Sequence, residues 1–116
     1  MILTYIGIKD DKNAVMKSIN EKFGKHSLSY VGTYYNDNTV TDRCITLLKD
    51  ESDISFLKLT NNVEFLPLEV LLLDAKRSYF PAAHAFVEIF EGTIKIAGND
   101  ITNIVKNASS KKLVVI

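Results

Sequence analysis

The sequence predicts an α/β domain, with an α+β arrangement as the alternative: a single mixed sheet of about five to six strands packed against about three helices. Three observations lead there. Short β-branched and aromatic runs recur along the chain, segments with apolar residues at three- and four-residue steps lie between them, and glycine, proline, asparagine and aspartate mark the joins. With 116 residues, 47% of them hydrophobic, the chain has the size of one domain and enough apolar material for a core without metals or disulfides. No linker, repeat or low-complexity tract divides it, so one domain is expected to span residues 1–116.

ILTYIGI (2–8) is β-branched and aromatic and ends at charge, which predicts a strand. Asp10 and Asp11 follow as natural N-caps, and Val15, Ile19 and Phe23 recur at four-residue steps before Gly24, so a helix is expected over 11–23. SLSYVGTYY (27–35) has strand composition, YNDNTVTD (35–42) that of a polar turn, and RCITLLK (43–49) that of another strand. Residues 50–65 begin acidic and carry Asn61-Asn62 as a turn, but hold too few periods to assign; in the α+β alternative 27–65 forms an antiparallel meander.

EVLLLDA (69–75) is a nearly continuous apolar run bounded by charge, the pattern of a strand buried on both faces. Pro81 suits the first turn of a helix in which Ala82, Ala83, Phe86, Ile89 and Phe90 form one stripe that ends at Gly92. TIKIA (93–97) returns to strand. Asn99 or Asp100 then caps a helix with Ile101, Ile104, Val105 and Ala108 on one face, and KKLVVI (111–116) closes as a strand.

Charge and cysteine content narrow the function. Lys plus Arg and Asp plus Glu are both 14, so no net field favours nucleic acid or an anionic membrane. The single cysteine, Cys44, excludes an internal disulfide and fits a reducing compartment, where it serves as a small buried hydrophobe. The start lacks a basic segment ahead of an apolar one, and LPLEVLLL is broken by Pro67 and Glu69, so a cytoplasmic protein without a membrane span is expected.

Candidate chemistry is sparse. In a helix over 81–91, His84 would share a polar face with Glu88 and Glu91. That face suits a solvated histidine, or a weak acid–base candidate for which no nucleophile stands at a predictable place. With His26 the only other histidine, a zinc set is incomplete. Neither G-x-x-x-x-G-K-[ST] nor G-x-G-x-x-G occurs, and no cofactor is expected.

ILTYIGIKDDKNAVMKSINEKFG resembles the opening of response-regulator receiver domains, in which a strand ends in paired acidic residues that hold magnesium. LEVLLLDAKRSYFP is similar to the receiver strand that carries the phospho-accepting aspartate. The resemblance implies metal ligands at Asp10 and Asp11 and phosphorylation at Asp74. It also implies Ser or Thr after the next strand, where this chain has Ala97 and Gly98. Helix capping is the other use of Asp10 and Asp11.

The remaining features are surfaces. Lys76, Arg77 and Tyr79 lie in AKRSYFP (75–81), and Tyr34 and Tyr35 lie beside the polar turn. Arg and Tyr are the residue types that dominate interface hot spots. The expectation is a small non-enzymatic binding protein of the inhibitor, toxin-immunity or phage-accessory type, whose partner is another protein. The alternative is a small-ligand or phosphoryl-responsive domain that uses Asp10, Asp11, Asp74 and Lys76.

Overall fold

The computed structural model describes residues 1–9, 11–60, 62–78 and 86–116. Its centre is strand β1 (Ile2–Ile8), every residue of which is buried. Helix α1 (Lys12–Phe23) follows, then strands β2 (Leu28–Asn36) and β3 (Thr39–Leu48), which join as a hairpin. Asp37, at φ 52, supplies the positive backbone angle that a two-residue hairpin loop requires. Helix α2 (Glu51–Lys58) and strand β4 (Val63–Leu66) occupy the stretch that the sequence left unassigned.

The rest of the chain departs most from expectation. Residues 68–77 form helix α3 (Leu68–Arg77), not a strand. Its buried residues Leu68, Leu71, Asp74 and Ala75 follow helical spacing, and Leu73 in the middle of the apolar run is exposed. The predicted helix over 81–91 is replaced, as far as the described residues reach, by strand β5 (Val87–Phe90). There Val87 and Ile89 face inward while Glu88 and Phe90 face outward. Strand β6 (Thr93–Ile96) pairs with it across Glu91-Gly92, and β7 (Asn99–Asp100) pairs with β6 across Ala97-Gly98. All four loop residues have positive φ, the geometry of type I′ hairpins. Helix α4 (Thr102–Asn107) and strand β8 (Leu113–Val115) complete the chain.

Two antiparallel sheets therefore replace the single mixed sheet expected from sequence, and four helices are described in place of three. The larger sheet runs β2-β3-β1-β4, and β8 shares the second edge of β1 with β4: β8 covers Ile2–Thr4 and β4 covers Tyr5–Ile8. The smaller is β5-β6-β7. Alternation along β1 divides the core in two. Ile2, Ile6 and Ile8 meet Ile19 of α1 and Ile54 and Leu57 of α2 on one face. Leu3 and Tyr5 meet α3, the small sheet and Val105 of α4 on the other. The result is three layers, with the large sheet in the middle. Among the described residues no helix is long and apolar enough to cross a membrane.

Candidate functional site

The face of the large sheet that carries Leu3 and Tyr5 turns polar toward the β2–β3 hairpin. Gly7 of β1 stands opposite Arg43 of β3, in line with Tyr5 opposite Ile45. A methyl group on Gly7 would lie 2.6 Å from Cγ2 of Thr41, so glycine there permits the close approach of the strands. Arg43 thus emerges on the face covered by α3, which delivers Asp74 from its second turn.

Two side chains converge on that carboxylate, which is 2% exposed. The Tyr5 hydroxyl donates to Oδ2 at 2.6 Å, and Nη1 of Arg43 donates to Oδ1 and Oδ2 at 3.0 and 2.9 Å. The Tyr34 ring covers the guanidinium at 4.2 Å, a stacked cation–π contact. Nε of Arg43 is buried and has no hydrogen-bond partner among the described residues. Burial, followed by the bond to Asp74, raises the Tyr5 phenol above its ordinary value. Burial, followed by the charge of Asp74, raises Tyr34, against which Arg43 and Arg77 act in the opposite direction. Outside this cluster lies a cleft of about 310 Å³ lined by Lys9, Tyr34, Asn36, Asp37, Arg43 and Glu64, among others.

The residues singled out from the sequence scatter. Lys76 and Arg77 lie exposed on the last turn of α3. Arg77 is near enough for its charge to act on Tyr34, whereas Lys76 lies beside the β5–β6 turn at Gly92. Tyr34 and Tyr35 are neighbours on one strand and so point to opposite faces. Tyr34 joins Arg43, while Tyr35 is 78% exposed on the face that carries α1 and α2. Asp11 occupies the N-cap of α1 in the left-handed conformation and makes no side-chain cap bond. Asp74 is not at a strand end, and both its oxygens are engaged. Among the described residues no group of three or more His, Cys, Asp or Glu side chains is placed to hold a metal. Asp10, Tyr79 and His84 lie outside the described residues.

Sequence reasoning missed Tyr5 and Arg43. The signal was there: Arg43 has the same parity as Ile45 and Leu47, so once 43–49 is read as a strand it must share their inward face.

This arrangement suits recognition. The carboxylate orients a planar cation and holds it against an aromatic ring beside an open cleft, an arrangement chemically suited to oxygen acceptors. Fold and site together define a three-layer α/β protein with a buried polar cluster beside a sheet whose β2 edge pairs with no described strand. Comparison with protein families, curated proteins and solved structures found no match to this chain.

Proposed function

We propose that this chain is a small binding protein that acts by contact with another protein, in the manner of an inhibitor, an immunity protein or a phage-encoded accessory factor. The contact is made through the β2–β3 hairpin and the last turn of α3. One observation carries the reading: β2 ends the large sheet, its outer edge pairs with no described strand, and none of its nine residues is charged. Exposed edges are ordinarily blunted by charge or proline because they invite pairing, so a neutral edge fits one covered in use. A bulge at Val31 leaves Gly32–Asn36 as the regular part of that edge. An extended segment of the partner would add there as a further strand, with Tyr35 on one face and Tyr34, Arg43 and Arg77 on the other. The single buried cysteine fits a reducing, cytoplasmic setting.

The test is capture by tagged protein from its own cells, wild type against Tyr35→Ala/Arg77→Ala. Both side chains are exposed, so the variant should keep its melting temperature within a few degrees. Loss of hot-spot energy of about 2 kcal/mol should weaken capture of the same partner roughly thirtyfold. A folded variant that captures that partner as well as wild type does would sink the proposal, as would a wild type that captures nothing.

A further inference from the structure

The opposite end of the large sheet has a different character. A cleft of about 340 Å³ opens where α1 ends, β3 ends and Phe86 enters the small sheet. That volume is at the lower end for small-molecule sites. Its charged lining is Lys22, Lys25 and Lys49 against the single acid Asp53, in a protein whose net charge is zero. None of the three lysines makes an ion pair among the described residues. Lys22 rests on the Phe56 ring at 3.9 Å, and the charge of Lys49 acts on Asp50, its neighbour in sequence.

The same cleft holds an aromatic platform. His26 stacks on Phe86 with centroids 4.5 Å apart and planes 20° from parallel. Its backbone is held at φ 69, a conformation in which histidine, like asparagine and aspartate, is enriched among non-glycine residues, by the turn that follows Gly24. That turn projects the imidazole beside Lys25, and both residues also line an adjoining shallow cleft with Asn20 and the Lys17–Glu21 ion pair. A ring platform next to several unpaired cations is complementary to a molecule with a planar ring at one end and negative charge at the other.

We propose that this cleft binds a mononucleotide, with the base stacked on the His26–Phe86 pair and the phosphate among Lys22, Lys25 and Lys49. It needs no glycine-rich phosphate loop, because lysine side chains supply the charge and ring stacking supplies the rest. The site is remote from the hairpin edge, so its failure would leave the protein-binding proposal standing.

The experiment is a titration of labelled full-length protein with adenosine monophosphate, cytidine monophosphate, adenosine and inorganic phosphate, followed residue by residue by NMR. At least one of the two nucleotides should shift His26, Phe86 and the three lysines saturably, and bind at least tenfold more tightly than adenosine or phosphate alone. Lys22→Gln/Lys49→Gln should weaken the nucleotide at least tenfold while leaving adenosine unchanged. His26→Asn, which tolerates the left-handed turn, should weaken nucleotide and adenosine together while leaving phosphate unchanged. No saturable shift in the cleft with either nucleotide would overturn the proposal. So would shifts spread evenly over surface lysines such as Lys112, or variants that bind as wild type does while keeping its melting temperature.

Discussion

Asp74 is ionisable, buried, and surrounded by the groups that make its charge tolerable. A carboxylate in such a place is expensive unless its oxygens are bonded and a counter-charge is near. Arg43 and Tyr5 meet both conditions. Asp74→Asn keeps the volume but strips Arg43 of its partner, and should cost about 3 kcal/mol in urea unfolding, the low end for a broken buried pair because Arg43 partly reaches solvent. Removing both charges with Arg43→Met/Asp74→Leu should cost less than the single change. A single-variant loss near zero would mean that the pair contributes no stability. Cys44 provides a second prediction at this scale. Burial pushes its thiol from an ordinary 9.0 up to about 12, so it stays protonated in the fold while the unfolded chain ionises earlier. The raised value means that stability is intact below about pH 9 and declines as pH rises from there toward 12, with Tyr5 acting in the same direction. Maleimide should label Cys44 at neutral pH only in denaturant, and the melting temperature should fall on the alkaline side. Ready labelling of the native protein would contradict its burial.

Two helices begin with aspartate and use it differently. Asp50 accepts from the backbone N–H groups of Ser52 and Asp53 at 3.1 and 3.2 Å, whereas Asp11 makes no such bond. Asp50→Ala should therefore lower the melting temperature at neutral pH. Asp11→Ala removes no cap, and Asp11→Gly should raise it slightly by relieving φ 46. The Ser52 hydroxyl and the Asp53 N–H hold the Asp50 carboxyl below the usual range. Its contribution is then present above that range and is lost as pH falls through the lowered value, so the deficit of Asp50→Ala should shrink in acid. Equal effects of the two alanine changes would refute the distinction. The pair also shows what sequence conveys at this scale: Asp11 was legible as a cap and Asp50 was not, yet it is Asp50 whose side chain turns back to its helix, because that depends on the incoming backbone. The stretch 69–75 was misread because its apolar run hides the spacing of Leu68, Leu71 and Ala75; only its helix-forming composition and Pro67 at the N-cap hinted at α3. Phe86, Ile89 and Phe90 misled in the opposite sense. Their spacing fits a helix, but Val87 and Ile89 alternate with Glu88 and Phe90 ahead of Glu91-Gly92, a hairpin signal.

In the whole molecule both cores share β1. Leu71 packs against one of its faces and Ile54 against the other, and both are buried. Leu71→Ala and Ile54→Ala should each cost about 2–5 kcal/mol. Because both layers pack on the same central strands, β1 and β3, tyrosine fluorescence and far-ultraviolet circular dichroism should give coincident urea transitions in each variant. Transitions that separate would show that the two faces unfold independently.

The sequence by itself determined the elements whose apolar period is unambiguous: β1, α1, most of β2, the second half of β3, β6 and β8, together with a buried Cys44; of the polar turn expected over 35–42 only Asp37-Asn38 is turn, and Thr39–Asp42 already belongs to β3. It also marked Arg77 and Tyr34, which the fold brings close, though not the reason. Only tertiary structure decided that Arg43 and Asp74, 31 residues apart in sequence, would meet. The sheet likewise sent Tyr34 and Tyr35 to opposite faces, and the strand order left β2 with an outer edge that no described strand pairs. Periodicity is a local property of a few turns or pleats, whereas a buried ion pair and a free strand edge depend on which surfaces the chain has already used to cover one another.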